Sequence, residues 1–350
     1  MEGQKSVSKE NVMFNIENRR YVGNKFKLCP WIRECIASTC HDLDSFFDVF
    51  AGTGVVTAAM LDMFNSFYLN DFLFSNEVIY KGFFLNRRYR SNIIEKEKEL
   101  YEALDEKTIE ENYVSENYGG KFFAYGDAKK IGFIRQRIET LREQDAINLK
   151  EYCILLASLL YSLDKSANTV GHYDAYIKRD GLRSSFEFDL IRPVITQKKI
   201  FKIYREDSNL LAPRLRTSLA FIDPPYNSRQ YSRFYHVLET ITKWDYPELH
   251  GVAMKPQATN MSDYCRNAAA TVFEDLIEKL NVRYIAVTYN NTYTSKSSSS
   301  QNKITLEQIS AILRKRGKTQ IFEKSYRFFN SGKTDFSDHK EFLFITEVSK

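Results

Sequence analysis

The stretch Leu219-Ala220-Phe221-Ile222-Asp223-Pro224-Pro225-Tyr226 determines the fold that we expect. Its first four residues form a short apolar run, which predicts a buried strand of a parallel sheet. A carboxylate, Asp223, then stands at the carboxyl end of that strand, where open α/β sheets bind their ligands. The two prolines fix the backbone and remove N–H donors, so the turn is stiff and its carbonyls are free to accept. With the ring of Tyr226 beside it, the turn is suited to accept hydrogen bonds from a flat exocyclic amine and to stack on its ring.

Length and composition place the chain among folded globular proteins. Its 350 residues are enough for one large domain with an insertion, and 43% of them are hydrophobic. No apolar stretch approaches the roughly 20 residues that a membrane span needs. The polar N-terminus lacks the apolar core of a signal peptide. The five cysteines show neither a CxxC pair nor a metal spacing, so we expect free thiols, no metal site, no membrane partner and a cytoplasmic location.

Basic residues are concentrated around the Asp-Pro-Pro-Tyr turn. Residues 165–233 contain 13 Lys/Arg and 7 Asp/Glu, whereas the net charge of the whole chain is only +5. Such an excess is expected if a polyanion lies across this part of the molecule. The alternative is a solvated surface with scattered lysines.

The order of the predicted elements indicates a largely parallel sheet interrupted by a helical block. Strands separated by helices favour parallel pairing, and residues from about 75 to 195 are mainly helical in pattern. The other predicted elements are a helix at 24–40, strands at 45–50, 67–71, 200–204, 219–222 and 284–288, a helix at 55–64, and a C-terminal hairpin formed by 321–329 and 341–346.

The turn Phe50-Ala51-Gly52-Thr53-Gly54 follows the first predicted strand. Its glycines let a ligand approach the backbone, and the helix N-terminus after it favours polar groups, although many such turns bind nothing. Asp71, at the end of the next strand, is placed to accept from ribose hydroxyls, or alternatively to cap the following helix. A nucleoside fits better than a triphosphate, because the third glycine and the lysine of a P-loop are missing.

Two further predictions, the third strand-end carboxylate and the location of His236, each have an alternative. Asp207 follows the strand predicted at 200–204 and stands 16 residues before Asp223, which makes it a third carboxylate at a strand end. Asp127 is a rival for that position, but no convincing strand precedes it, so we favour Asp207. We expect His236 on a helix surface, with a contact to DNA as the alternative.

Three motifs in this order resemble the D12 (Dam-like) class of DNA adenine-N6 methyltransferases. They are Tyr21-Val22-Gly23-Asn24-Lys25, Phe50-Ala51-Gly52-Thr53-Gly54 and Asp223-Pro224-Pro225-Tyr226. The lysine-bearing motif comes before the glycine motif, which is the α-group order of the family. The segment Asn227-Ser228-Arg229-Gln230-Tyr231, with Tyr235-His236-Val237-Leu238-Glu239-Thr240 after it, is similar to a restriction–modification branch of the class. The resemblance covers roughly residues 19–346.

The resemblance implies S-adenosyl-L-methionine as the cofactor. Its binding residues would be Tyr21, Lys25, Asp48, Phe50, Gly52, Gly54, Asp71 and Asp207. Asp71 would face the ribose and Asp207 the cofactor adenine. Asp48, Phe50 and the two glycines would hold the methionine moiety. Lys25 would lie near the methionine carboxylate or near the catalytic loop.

The resemblance also implies double-stranded DNA as the substrate. Asp223 and the carbonyl of Pro224 would accept from the target amine, while Tyr226 stacks on the base. Residues 19–75 and 196–350 would form a Rossmann-like methyltransferase domain of α/β class, its sheet mostly parallel with a C-terminal hairpin. The helical insert, residues 76–195, would recognise the target sequence, although it falls before the family's third motif. A cognate restriction endonuclease is implied as a functional partner.

The chemistry of the turn is consistent with this reaction. The adenine N6 amine is a poor nucleophile because its lone pair is delocalised into the ring, and acceptors at Asp223 and Pro224 favour a more tetrahedral amine. The base must be flipped out of the duplex to reach them. Cytosine-N4 methylation uses the same geometry, although those enzymes more often have Ser in place of the Asp. A catalytically silent DNA-binding relative is the other alternative.

Overall fold

A seven-stranded sheet with helices on both faces organises the chain, which the computed structural model describes over residues 13–178, 181–196, 198–291, 301–325 and 339–349. The strands are β1 (Ser45–Asp48), β2 (Ser66–Asn70), β3 (Ile200–Tyr204), β4 (Arg216–Ile222), β5 (Asn281–Asn290), β6 (Gly317–Ser325) and β7 (Lys340–Val348). The helices are α1 (Cys29–Thr39), α2 (Val55–Ala59), α3 (Phe74–Phe84), α4 (Ser91–Glu102), α5 (Tyr113–Tyr118), α6 (Tyr125–Glu143), α7 (Leu149–Ser166), α8 (Ser208–Leu211), α9 (Tyr231–Phe234), α10 (His236–Lys243), α11 (Ala269–Lys279) and α12 (Leu306–Arg314).

The strand order is β3-β2-β1-β4-β5-β7-β6. Strands β1 to β5 are parallel to one another, whereas β7 runs antiparallel to both β5 and β6. The predicted α/β fold, with its mostly parallel sheet and C-terminal hairpin, is therefore confirmed. The direction of winding reverses between β1 and β4, and ligands of open α/β sheets bind at such a switch point.

The two faces of the sheet bury separate apolar cores. Phe46 and Phe47 are neighbours in β1 and both are fully buried, yet they belong to different cores because successive strand residues point to opposite faces. Helices α8, α11 and α12 cover the face of Phe47, and α1, α3, α6, α7 and α10 cover that of Phe46. Burial on both faces explains why the central strands β4 and β5 contain continuous apolar runs.

Helix α1 begins later than predicted, at Cys29, after a 3₁₀ turn at Phe26–Leu28. Pro30 lies in the first turn of α1, the part of a helix where a missing N–H is tolerated. The motif that ends at Lys25 is consequently a loop, which can follow the edge of the sheet.

The helices between β2 and β3 share one core with the sheet. The apolar cluster that contains Phe46 continues through α3, α5, α6 and α7. Arg135 of α6 is fully buried and donates to the carbonyls of Ile241 (2.7 Å) and Thr242 (3.2 Å) in α10. The role of residues 76–195 in target recognition stays a prediction. None of the helices in the described part of the chain is long and apolar enough to cross a membrane.

His236 is buried, so both positions considered for it were wrong. Its ring nitrogens lie 3.0 Å and 2.8 Å from the carbonyl oxygens of Arg233 and Ala253, and burial lowers its pKa to about 4. The apolar face of α10 packs against the protein interior, and the loop around Ala253 covers the imidazole of His236. The histidine is a structural link between α10 and that loop.

Two of the basic residues in 165–233 lie at the amino edge of the sheet, away from the Asp-Pro-Pro-Tyr turn. Arg216 begins β4, and Asp223 follows the last residue of that strand. At about 3.3 Å per residue the two ends of β4 are about 20 Å apart. Lys199 likewise precedes β3 at the amino edge. Arg216 and Lys199 therefore do not surround the Asp-Pro-Pro-Tyr turn. The charge count alone overstates the positive charge beside that turn.

Candidate active site

The carboxyl ends of β1, β2, β3 and β4 meet around a cavity of about 240 Å³. Among the predicted site residues, the cavity is lined by Tyr21, Lys25, Asp48, Phe50, Gly52, Asp71, Asp207 and Asp223. Gly54, Pro224 and Tyr226 lie next to these residues but are not part of the lining. Residues distant in sequence are therefore brought together as the strand-end pattern predicted.

Asp223 receives three contacts on one of its two oxygens. The Lys25 ammonium lies 3.0 Å from Oδ1, the Thr288 hydroxyl donates to it over 2.9 Å, and the Tyr226 hydroxyl donates to it over 2.6 Å. The side chain keeps about 20% of its surface exposed. Within the described residues Oδ2 accepts no hydrogen bond.

Tyr226 faces the protein rather than the cavity. Its ring lies between the Lys25 ammonium, 4.9 Å from the ring centroid, and the ring of Tyr289, 4.4 Å away. Burial, reinforced by the charge of Asp223, raises the pKa of Tyr226, so its hydroxyl keeps the proton that it donates. Stacking on a base would require the side chain to rotate out of this position. No described residue donates to the carbonyl of Pro224.

Tyr21 is held by two tyrosines that follow the Asp-Pro-Pro-Tyr turn. Its ring stacks on Tyr235 (4.7 Å, 5° between planes) and on Tyr231 (5.3 Å, 27°). Val22 donates its N–H to the Tyr235 hydroxyl over 2.8 Å and accepts from the Tyr231 hydroxyl over 3.2 Å. These contacts hold the loop that ends at Lys25 across the edge of the sheet. They thereby place Lys25 beside Asp223.

Gly52 and Gly54, the two glycines of the turn after β1, differ in what surrounds them. Gly52 (φ +53°) and Gly54 (φ +77°) both occupy the left-handed region, where other residues are strained. Gly52 lines the cavity, and a Cβ there would lie 3.5 Å from the Tyr21 ring. A Cβ on Gly54 would lie 3.0 Å from Ile16 in the core. Gly54 thus lies on the core side of the turn and does not line the cavity.

Asp48 and Asp71 are carboxylates without a lysine or arginine ion pair among the described residues. Asp48 is 1% exposed and accepts from the Thr57 hydroxyl over 2.7 Å, and burial raises its pKa to about 7. Asp71 accepts from the N–H groups of Gly52 (3.0 Å) and Leu73 (2.9 Å), and burial raises its pKa as well. A ligand with a cationic centre and hydroxyl groups would complement this pair.

Asp207 lines the cavity and Asp127 does not. Asp207 caps α8 by accepting from the N–H of Asn209 over 2.8 Å. Asp127 lies in the first turn of α6 and accepts from the N–H of Ser185 over 2.8 Å, which fixes a distant loop. The preference for Asp207 over Asp127 as the third strand-end carboxylate agrees with the position of the cavity.

A strap formed by residues 260–264 closes one side of the cavity, and no sequence pattern predicted it. The side-chain amide of Gln230 accepts from the N–H of Ser262 over 2.8 Å and donates to its carbonyl over 2.9 Å. Asn260 donates to the carbonyl of Phe72 over 3.3 Å. The strap has no periodic pattern that would reveal it. Thr288 was missed because threonine is ordinary in a strand.

The chain is similar to known DNA methyltransferases over most of its length. The family model described as D12 class N6 adenine-specific DNA methyltransferase matches residues 21–312. The type II methyltransferase M.NlaIII of Neisseria lactamica is 30% identical over 93% of this chain and 98% of its own length. The type II methyltransferase M.FokI of Planomicrobium okeanokoites is 30% identical over 94% of this chain, which spans only 52% of that relative. The modification methylase StsI of Streptococcus sanguinis is 32% identical over 78% of this chain and 44% of its own length.

Proposed function

The chain belongs to the D12 class of N6 adenine-specific DNA methyltransferases, and on that premise we propose that its cavity transfers a methyl group from S-adenosyl-L-methionine to N6 of an adenine flipped out of duplex DNA. The observation that carries the proposal is the pair of contacts from Lys25 and Thr288 on Oδ1 of Asp223, which would persist when Tyr226 rotates to stack on the base and would leave Oδ2 to the target amine.

The residues of the cavity fit this cofactor. S-Adenosylmethionine supplies an activated methyl group on a sulfonium centre. The buried carboxylate of Asp48, which lacks a cationic partner among the described residues, would face its positive charge. Asp71 would accept from the ribose. Asp207, with the ring pair of Phe50 and Tyr264 (centroids 4.9 Å apart, edge to face), would bound the adenine site.

The target amine would be held by two acceptors at the end of β4. Oδ2 of Asp223 and the carbonyl of Pro224 would each accept one N–H of N6, so that the nitrogen lone pair points away from the ring plane. Acceptors fixed in advance stabilise the charge that develops on the nitrogen in the transition state. Flipping the base costs a few kcal/mol, and stacking on Tyr226 would return roughly 1–3 kcal/mol once the ring has rotated.

The cytosine-N4 alternative is disfavoured by the family description, which is adenine-specific. The named relatives are type II methyltransferases and a modification methylase. We therefore propose that the chain modifies the recognition sequence of a cognate restriction endonuclease. Pairing of this kind is functional and requires no contact between the two proteins.

Transfer of a labelled methyl group to unmethylated duplex DNA tests the proposal. After digestion of the product, we expect the label in N6-methyladenine alone. Label in N4-methylcytosine, or DNA binding without transfer in any sequence context, would contradict it. Sequencing host DNA for modified adenines after expression would then give the recognition sequence.

A further inference from the structure

Arg19 is a buried cation that lies just before the first motif. Its side chain is only 5% exposed, and it forms no ion pair with a carboxylate among the described residues. Nη1 donates to Oδ1 of Asn76, whereas Nη2 has no hydrogen-bond partner in the part of the chain that the structure describes. A buried charge is costly unless other groups stabilise it. The other neighbours of Arg19 must therefore supply the stabilisation that an ion pair would give.

Two stacked tyrosine rings are those neighbours. The guanidinium carbon of Arg19 lies 5.0 Å from the ring centroid of Tyr21 and 5.6 Å from that of Tyr235. The charge of Asp164 also acts on Arg19, although no ion pair joins the two side chains. A guanidinium is attracted to the face of an aromatic ring, and the attraction is stronger where water is excluded. Arg19 thereby holds the rings of Tyr21 and Tyr235 together.

The hydroxyl of Tyr235 fixes the loop that carries Lys25. It accepts the N–H of Val22 over 2.8 Å, three residues before Lys25 in the chain. The Lys25 ammonium lies 3.0 Å from Oδ1 of Asp223. A continuous series of contacts therefore connects the buried Arg19 with the carboxylate of Asp223.

Asn76 provides the fixed end of this series. It is fully buried in the first turn of α3, so its contact with Nη1 joins Arg19 to a helix that is packed in the core. Residues 18–25 form neither helix nor strand. Their conformation consequently depends on side-chain contacts of this kind.

We propose that Arg19 is a positioning residue, which holds the Lys25 ammonium against Asp223 during methyl transfer. This inference rests on the proposed function. Arg19 does not line the cavity, so it acts through the rings of Tyr21 and Tyr235. Without Arg19 the loop would lose its link to α3, and Lys25 would fix Oδ1 of Asp223 less well. Oδ2 would then be less precisely oriented toward the target amine.

The substitution Arg19→Met keeps the length of the side chain and removes its charge. At saturating cofactor and DNA, we expect the single-turnover rate to fall by about 30-fold, the factor that a cation–π contact shielded from water is worth. Saturation with both ligands separates this loss from any change in binding. Arg19→Lys keeps the charge but lacks the planar fork, and it should restore part of the rate.

A double-mutant cycle with Lys25 shows whether Arg19 acts through that residue. Lys25→Met alone should lower the single-turnover rate by about 10²-fold, as expected for the loss of one fixed electrostatic contact. Adding Arg19→Met should lower it by no more than about two-fold further, because the contact that Arg19 supports is already missing. If Arg19 were merely structural, the two losses would multiply instead.

Hydrogen exchange gives a readout that requires neither cofactor nor DNA. The Val22 amide should exchange faster in Arg19→Met, while the amides of β4 should keep the wild-type exchange and so show an intact sheet. Arg20→Met is the matched control, because the neighbouring Arg20 side chain is exposed and donates to the carbonyls of Ala167 and Lys165. It should change neither the rate nor the exchange of Val22.

Three results would overturn the inference. They are a wild-type rate in Arg19→Met, a loss that multiplies with that of Lys25→Met, and unchanged exchange of Val22 in a slow variant. If Arg19→Met does not fold, Arg19→Lys replaces it in the same three measurements. A wild-type protein that transfers no methyl group to adenine would contradict the proposed function, whereas the exchange of Val22 would still test the contact of Arg19 with the loop.

Discussion

Asp48 lines the cavity, so we expect a bound cation to act on its charge. Burial raises its pKa to about 7, and a cationic cofactor would favour the ionised form and lower that pKa. Cofactor binding should then release a proton between about pH 6 and 7, and affinity should increase as pH rises to about 7. Calorimetric titration in two buffers of different ionisation enthalpy measures this release. Asp48→Asn should abolish it, and equal release by both proteins would contradict the assignment.

The residues that the sequence revealed are those that follow parallel strands. Asp71 and Asp223 could be found because each comes directly after a strand, and Asp207 because it comes three residues after one; such ends meet at one edge. Asp48 was implied only by the family resemblance, since the predicted strand extended past it to residue 50, whereas β1 ends at Asp48. Thr288 could not be found, because its contact with Asp223 depends on the pairing of β4 with β5, which no local pattern encodes.

Glu239 connects two elements of the site. Helix α3 begins at Phe74 without a capping side chain of its own, and the Glu239 carboxylate of α10 accepts from the N–H groups of Phe74 (3.0 Å) and Ser75 (2.9 Å). Glu239→Ala should cost about 1–3 kcal/mol, because it leaves buried donors unpaired. Cofactor binding should weaken too, since Asp71 lies only three residues before Phe74.

Chemical denaturation and a cofactor titration measure the two effects of Glu239→Ala. The stability and the cofactor affinity of Glu239→Gln should lie between those of Glu239→Ala and the wild type, because the glutamine amide retains one acceptor oxygen. Glu99→Ala, on the exposed side of α4, is the control for loss of a helical carboxylate. A stable Glu239→Ala protein with unchanged cofactor affinity would refute the cap.

The strap (residues 260–264) depends on the side chain of Gln230. Gln230→Ala removes both hydrogen bonds to Ser262, so we expect faster hydrogen exchange at that amide and faster cofactor release. Exchange mass spectrometry and stopped-flow release measure the two effects. Gln144→Ala, at the exposed end of α6, is the control. Unchanged exchange at Ser262 would show that other contacts hold the strap.

Elements with a strong pattern were predictable, and those set by distant contacts were not. The sequence predicted every strand of the sheet in type and approximate position, because each is a short run with turn signals on both sides. It did not indicate the insertion of β7 between β5 and β6, or the strap. The start of α1 was predicted too early because the restriction imposed by Pro30 was not applied.

At the scale of the whole molecule, the sheet and the helices between β2 and β3 share one core. Buried residues of β1, α6, α7 and α10 belong to the same apolar cluster, and Arg135 ties α6 to α10. We expect calorimetry to show one unfolding transition. Cofactor at about 100 times its dissociation constant should stabilise that transition by about 2.7 kcal/mol. Two transitions, of which cofactor shifts only one, would indicate separate units.

The central claim is that Asp223 acts on the target amine and not on the cofactor. Single-turnover methylation by Asp223→Asn, with the cofactor dissociation constant measured on the same preparation, tests it most directly. Asp145→Asn, on an exposed turn where asparagine tolerates the positive φ, is the matched control. We predict a rate loss of about 10²–10³-fold with cofactor affinity unchanged and the control fully active. A wild-type rate in Asp223→Asn would contradict the claim.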